Sequence, residues 1–311
     1  MDKKVFKTLD EQINMLKERG LIINDPEYAK KILFKESYFF LHGYRFPFLK
    51  SMENRVYINN TTFEEVYSLF LFDRNLRNLL FKNILIIENN IKSVISYNLS
   101  LKYGYREKDY LNPKNYNSNP EKRGQVNDLL NKMKRQIQNN VSSHSATLHY
   151  NNKYGYIPFW VAVKVLSFGI ISEFFTILNK EEQYEIVDNY NLDIDDFSNY
   201  LNILANYRNL CAHENIVYDN KSNKIIQDSK YHRLLNIPIM NNEYIYGKND
   251  LFVVFIIFKE LLTNDEFVLF TVEFKRYLSN LGKNIKSINI TKILDRMGIP
   301  VNWEDLIKFN K

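Results

Sequence analysis

The stretch TFEEVYSLFLFDRNLRNLLFKNILIIENNIKSVISYNLSL, residues 62–101, decides the fold. Thr62 stands three residues before Glu65, the spacing of a capping box in which each side chain accepts a hydrogen bond from the other residue's backbone N–H. Neither Gly nor Pro interrupts the apolar residues that follow at helical spacing. This stripe consists of Leu69, Phe72, Leu76, Leu80, Ile84, Ile87, Ile91 and Ile95. We predict one long helix that forms the backbone of a helical bundle.

The remaining sequence also favours helices, and the fold class that we predict is all-α. The 311 residues are 45% hydrophobic and include only 9 Gly and 7 Pro, so few turn formers interrupt long periodic segments. Segments 216–218 and 224–226 flank a polar turn and predict one small β-hairpin. The other predicted helices cover residues 9–16, 26–36, 121–139, a stretch from Pro158 through Ile170, a stretch from Asp193 to the end of the motif described below, and parts of 228–311.

Charge and cysteine content limit the class of protein. A net charge of +6 and a pI of about 9.0 give a mild attraction for polyanions such as RNA, although cations spread over solvated faces explain the same numbers. No apolar run follows the charged start, and the run 251–258 is shorter than a bilayer span, so we expect a cytoplasmic protein without a membrane partner. The single cysteine, Cys211, excludes an intrachain disulfide and a cysteine-based zinc cluster.

The six residues Arg208-Asn209-Leu210-Cys211-Ala212-His213 form the candidate site. The spacing Arg-x4-His joins a permanent cation to an imidazole that moves protons near neutral pH. Asn209 and His213 are four residues apart on one face of the predicted helix, so Asn209 can orient the imidazole. The bare motif is weak, because Arg208 in an ordinary ion pair and His213 capping the last carbonyls explain it equally well. Cys211 has the features of a buried structural thiol.

If the site is catalytic, the chemistry that fits is cleavage of RNA without a metal or another cofactor. The ribose 2′-OH attacks the neighbouring phosphate and leaves a 2′,3′-cyclic phosphate and a 5′-OH. His213 acts as general base or acid, and Arg208 stabilises the charge on the phosphate oxygens. The reaction needs both a base and an acid, and each chain carries one copy of the motif. We therefore expect a homodimer that brings two motifs together.

Several stretches, in order along the chain, resemble a known family. The Arg-Asn-x-x-x-His helix end is similar to the signature of HEPN domains, which are helical bundles found in many ribonucleases of toxin and defence systems. The whole set resembles the Abi family of phage abortive-infection proteins of the AbiD and AbiF type. The matching pieces are Gln12-Ile13, 16–21, 38–44 with Pro47-Phe48, 72–77 with Ile87-Glu88, 158–161 with 166–169, Arg208-Asn209 with His213, and 297–300 with Trp303.

This resemblance implies a HEPN-like core at 61–215, an N-terminal helical segment at 1–60 and a hairpin plus helices at 216–311. It implies an RNA endonuclease that halts growth of an infected cell, as a homodimer, with a small noncoding RNA that restrains some family members. The family usually shows Tyr-Tyr-Arg-Leu where this chain has residues 38–41, Tyr-Phe-Phe-Leu. That difference removes a cation, so no nucleic-acid role is assigned to the stretch.

Other charged residues are candidates to support the site. On the long helix, Asp73, Arg77 and Glu88 lie close to one face, and Glu88 is placed to hold Arg208, although ion pairs that only stabilise the bundle explain them as well. A second set of cations, Lys132, Lys134 and Arg135 in the polar helix, is placed to follow an RNA backbone or forms a solvated face.

Two other functions remain open. The first is a noncatalytic RNA-binding or protein-interaction module. The second is a metal-dependent or DNA-directed nuclease, for which Asp193, Asp195 and Asp196 are the nearest carboxylate cluster, although charge at a helix N-terminus explains these residues better.

Overall fold

The computed structural model describes residues 5–309 and confirms the long helix. This helix, Phe63–Tyr103, has the predicted capping box: Glu65 N–H donates to Thr62 Oγ1 at 3.2 Å, and Thr62 N–H donates to Glu65 Oε2 at 2.8 Å. Every residue of the predicted apolar stripe is buried. With 41 residues the helix is about 62 Å long.

The fold is all-α, as predicted. The helices, in chain order, are α1 (Leu9–Glu18), α2 (Pro26–Glu36), α3 (Phe40–Tyr44), α4 (Phe63–Tyr103), α5 (Glu107–Tyr110), α6 (Arg123–Asn139), α7 (Ser145–Tyr154), α8 (Phe159–Val165), α9 (Phe168–Ile177), α10 (Lys180–Asp188), α11 (Ile194–Ala212), α12 (Lys230–Leu234), α13 (Phe252–Leu261), α14 (Asn264–Asn284) and α15 (Thr291–Met297). Short 3₁₀ turns lie at Phe46–Phe48, Pro113–Asn115, Pro120–Lys122 and Trp303–Lys308. Two antiparallel strand pairs join β1 (Leu49–Ser51) to β2 (Val56–Tyr57) and β3 (Ile239–Met240) to β4 (Glu243–Tyr244).

Helix α4 is the centre of the packing. Helices α3, α8, α10, α11 and α14 all contact it, and α11 also packs on α9. Helix α13 lies deep in the core, where every residue from Phe252 to Phe258 is fully buried. The core is one continuous cluster with members from each of the three predicted segments, whose division into domains stays a prediction. None of the helices between residues 5 and 309 has the length and apolar composition to cross a bilayer.

The predicted hairpin at 216–218 and 224–226 is wrong. These segments form no strand, because their backbone groups bond elsewhere. Tyr218 N–H donates to the Asp73 carboxylate at 2.8 Å, and Ile226 N–H donates to the carbonyl of Lys248 at 3.0 Å. Tertiary contacts therefore override the local hairpin signal.

The helix predicted to run from Pro158 through Ile170 is divided in two. Helix α8 ends at Val165, and Ser167 begins α9 by accepting a hydrogen bond from Ile170 N–H at 3.4 Å. At the break, Lys92 of α4 donates to the carbonyl of Leu166 at 2.6 Å. A side chain that bonds a carbonyl at a helix end replaces the intrahelical partner and stabilises the break.

Candidate functional site

The end of α11 presents the Arg-x4-His motif. Asp193 caps the start of this helix by accepting from Asp196 N–H at 2.8 Å, and Asp195 and Asp196 lie in its first turn, where the sequence predicted acidic residues at a helix N-terminus. His213 is the C-cap, and the chain then reverses in a Schellman motif: Asn215 N–H donates to the carbonyl of Leu210 at 2.9 Å, and Glu214 has a left-handed φ of 55°. The sharp turn leaves the His213 side chain exposed.

Arg208 lies between a carboxylate and an aromatic ring. Its Nε is 3.9 Å from Oε2 of Glu88, and its guanidinium carbon is 5.6 Å from the centroid of the Phe81 ring. The separation from Glu88 is too long for a hydrogen bond, and within residues 5–309 both atoms lack a hydrogen-bond partner although both are buried. The Arg208 side chain is 33% exposed, so some of the N–H donors of its guanidinium face solvent. It can bond an incoming phosphate without breaking a strong existing contact.

Lys92 completes this arrangement and was missed by the sequence reasoning. Its Nζ donates to Glu88 Oε1 and to the carbonyl of Leu166, both at 2.6 Å. Burial lowers the pKa of Lys92, Glu88 opposes that shift, and the positive charges of Lys164 and Arg208 add to it. The i,i+4 spacing of Glu88 and Lys92 was the available signal. Lys92 and Arg208 therefore both lie beside Glu88, with Lys164 near Lys92, and this excess of positive charge favours a polyanion.

Asp73 and Arg77 lie nearer the N-terminus of α4 than Glu88 and Lys92 do. Arg77 Nη1 is 2.6 Å from Asp73 Oδ2, and Tyr44 O–H donates to the same oxygen at 2.7 Å. The other carboxylate oxygen accepts from Tyr218 N–H at 2.8 Å and from Val217 N–H at 3.3 Å. Burial raises the pKa of Asp73, while these hydrogen bonds and Arg77 oppose the rise. The network anchors the chain four and five residues after His213.

The structure therefore separates the three supporting residues proposed on α4. Glu88 lies beside Arg208, whereas Asp73 and Arg77 hold the segment after His213. The 15 residues from Asp73 to Glu88 correspond to about 22 Å along the helix axis. Residues 208–217 run from the part of α4 near Glu88 to the part near Asp73, and His213 lies between the two ends of this segment.

Helix α3 holds the same segment from the other side. A Cβ at Gly43 would lie 1.9 Å from Cδ1 of Ile216, so any larger residue at position 43 would force the Ile216 side chain to move. Tyr218 O–H also donates to the carbonyl of Gly43 at 3.0 Å. The aromatic-rich stretch around residues 38–44 thus helps to fix the backbone that follows the motif.

The two remaining polar residues of the motif differ in exposure. Asn209 is exposed, and its backbone carbonyl accepts from His213 N–H at 3.0 Å; among the described residues no hydrogen bond joins the two side chains. Cys211 is buried, and burial raises the pKa of its thiol to about 12. This thiol stays protonated near neutral pH and packs as an apolar side chain.

The cations of α6 lie on its solvent face. Lys134 and Arg135 are exposed, and Lys132 Nζ forms an ion pair with Glu173 at 3.3 Å. Helix α6 reaches the α8–α9 break, where Ser167 N–H donates to Gln136 Oε1 at 3.3 Å. These cations therefore lie on a neighbouring helix and not within the Arg208 cluster. In the part of the chain that the structure describes, no group of three or more His, Cys, Asp or Glu side chains is arranged to hold a metal ion.

The family model described as Abi-like protein matches residues 31–219, more than half of the chain, and the match includes α3, α4 and the end of α11. No curated protein and no solved structure matches the chain. Membership of the family implies a role in phage defence by abortive infection. The chain belongs to the Abi-like protein family.

Proposed function

We propose that this protein is a metal-independent RNA endonuclease that acts in abortive infection. The observation that carries the proposal is an exposed His213 five residues after Arg208, whose guanidinium lies near Glu88 and Lys92 and is partly open to solvent. A polyanion is attracted to these cations, and an exposed imidazole can exchange protons with it.

In this mechanism His213 takes the proton from a ribose 2′-OH. The 2′ oxygen then attacks the adjacent phosphorus, the bond to the 5′ oxygen breaks, and the products carry a 2′,3′-cyclic phosphate and a 5′-OH. Arg208 donates to the phosphate oxygens as their charge develops. The Glu88–Lys92 pair positions Arg208, and Asn209 remains the proposed partner of the imidazole.

The leaving 5′ oxygen needs a proton from a second acid. We assign it to His213 of a second copy of the chain, so the active unit is a homodimer. A small noncoding RNA that binds the same cations is the proposed restraint on activity in the cytoplasm. The cations of α6, Lys132, Lys134 and Arg135, are proposed to follow the RNA backbone away from the cut.

The test is cleavage of single-stranded RNA by purified protein in EDTA, with analysis of the product ends. We expect cyclic phosphate ends and a loss of rate of about 10²–10⁴-fold in His213→Ala, the usual contribution of a general acid or base. His149→Ala is the matched control, because His149 is also exposed but lies on α7, outside the motif. Arg208→Lys keeps the charge and loses the planar fork, and we expect slower cleavage.

Binding of RNA without cleavage by an intact dimer would favour the noncatalytic module instead. Cleavage that requires Mg²⁺ would exclude the proposed chemistry. The dimer is tested separately by sedimentation and by the dependence of the specific rate on protein concentration. Sequencing the RNA that copurifies from native cells tests the proposed restraining RNA.

A further inference from the structure

A cavity of about 330 Å³ opens directly beside the motif. Its walls come from the α2–α3 region, from α4 and from residues 214–216, three parts of the chain that are distant in sequence. The residues important here are Phe39, Phe70, Arg74, Arg77 and Glu214. Glu214 follows His213 directly, so their Cα atoms are about 3.8 Å apart. Whatever enters the cavity therefore lies next to the motif.

One wall of the cavity is suited to stacking. The Phe39 side chain is 78% exposed and stacks on the His42 ring with 5.8 Å between centroids and an interplanar angle of 13°. Exposed aromatic rings beside a basic site are the usual platform for unpaired bases of RNA. From the sequence alone, no nucleic-acid role was assigned to this stretch. The cavity changes that interpretation, because Phe39 lines it and is not part of the core.

The lining of the cavity also carries hydrogen-bond donors on Arg74 and acceptors on Glu214. The Arg74 guanidinium lies 4.5 Å from the Phe70 ring centroid and donates to Glu36 at 2.7 Å. These contacts fix its orientation and leave its other N–H donors available to a ligand. Glu214 is exposed, and its backbone is held by the turn that ends α11. Guanine presents two adjacent donors, N1–H and N2–H, to a carboxylate and two acceptors, O6 and N7, to a guanidinium. Adenine presents an acceptor at N1 and would repel the carboxylate.

The positions of the cavity and of the cations indicate how the RNA lies across the site. The Arg208–Lys92 cluster lies on one side of His213 along α4, and the cavity lies on the other side, at the level of Arg74 and Arg77. A phosphate at Arg208 and a base in the cavity would then flank the imidazole. Arg74 and Arg77 lie about 17–21 Å from Glu88 along α4, so a base in the cavity is a few nucleotides away from a phosphate at Arg208. We infer that the cavity binds one unpaired guanine of the RNA substrate near the cut. This inference rests on the proposed ribonuclease function.

The first experiment measures base preference at the cut. A pool of single-stranded RNAs with random sequence is cleaved, and the bases around each cut are counted. We expect guanine at one fixed position a few nucleotides from the cut, favoured over adenine by about tenfold or more, the discrimination of a good bidentate contact. Glu214→Gln keeps the size of the side chain and should reduce this ratio to about threefold or less. Glu185→Gln, at an exposed position of α10, is the control and should keep the ratio.

The second experiment measures stacking without cleavage. His213→Ala protein is mixed with RNA that carries, at the preferred position, a fluorescent guanine analogue that keeps the N1–H and N2–H donors and the O6 acceptor, and stacking quenches its fluorescence. Adding Phe39→Leu should remove most of the quenching, whereas adding Phe34→Leu should leave it unchanged. Phe34 is the matched control because it is 79% exposed, as Phe39 is, but lies on α2 away from the cavity lining.

The two experiments separate the two proposals. Cleavage with no preferred base, or with the same preference in Glu214→Gln, overturns the guanine site and leaves the ribonuclease standing. If the protein cleaves no RNA, the proposed function fails. The cavity is then tested by the quenching experiment alone, with the label at each position in turn. Equal quenching with Phe39→Leu and Phe34→Leu, or none at all, overturns the inference.

Discussion

Lys92→Met tests whether Lys92 balances the buried charge of Glu88. The change removes an ammonium that donates to Glu88 Oε1 and to the Leu166 carbonyl, both at 2.6 Å, and keeps an apolar stem of similar length. Removing one partner of a buried ion pair costs about 3–5 kcal/mol. We expect about 3 kcal/mol, because Arg208 remains 3.9 Å from the other oxygen of Glu88. For a chain of 311 residues this corresponds to a decrease in Tm of about 5 °C.

A double variant identifies the cause. Glu88→Gln combined with Lys92→Met removes both charges, so the buried carboxylate no longer lacks its partner. We expect the double variant to be about 2 kcal/mol more stable than Lys92→Met alone, since an ion pair exchanged for neutral groups costs little. Urea unfolding followed by circular dichroism gives both free energies. Lys82→Met is the control on the same helix, because the Lys82 side chain is 58% exposed and its ion pair is worth little.

The same variant has a functional readout. In Lys92→Met the nearest remaining cation to Glu88 is Arg208, so the carboxylate should draw the guanidinium toward itself and weaken RNA binding. Binding is measured with labelled single-stranded RNA at fixed salt, since phosphate contacts depend strongly on salt. Equal stability of Lys92→Met and the double variant, or a cost below about 1 kcal/mol, would refute this account of the cluster.

Three further predictions concern the segment around the motif. Gly43→Ala should lower the free energy of unfolding by about 1–3 kcal/mol, because its Cβ would meet Cδ1 of Ile216, and adding Ile216→Val, which lacks that atom, should restore most of it in urea unfolding. Glu214→Gly should raise the free energy of unfolding by about 0.5–1 kcal/mol, because glycine adopts the left-handed φ without strain; an unchanged or lower value would contradict the Schellman assignment. Cys211 should be inert to a thiol reagent in native protein at pH 8 and reactive in urea, and rapid native labelling would contradict its burial.

The Cys211 prediction extends to pH. The folded pKa of about 12 lies above the ordinary value of 9.0, so the unfolded thiol loses its proton first as pH rises. The stability that this thiol contributes is complete below pH 9.0 and decreases between 9.0 and about 12. Wild type and Cys211→Ala should therefore differ by a free energy that changes in that interval by up to about 1.4 kcal/mol per pH unit. A difference that stays constant from pH 8 to 11 would contradict the buried thiol.

Local signals were enough for the elements with strong periodicity or clear caps. The Thr62 capping box, the apolar stripe of α4 and the acidic residues at the start of α11 are all present as predicted, because they depend on contacts within a few residues. The hairpin at 216–226 and the continuous helix after Pro158 failed for a shared reason. In each case a side chain from α4, Asp73 or Lys92, bonds the backbone of the segment, and nothing in the local sequence indicates that contact.

The sequence by itself determined an all-α fold built on one long helix, and a motif of Arg208 and His213 at the end of another. Only the tertiary structure decided what surrounds that motif. It places Glu88 and Lys92 near Arg208, and it places Asp73 and Arg77 beside the segment after His213. It also forms a cavity between α3, α4 and Glu214. The physical reason is that helix formation is local, whereas buried charges are satisfied by whichever partner the packing brings near.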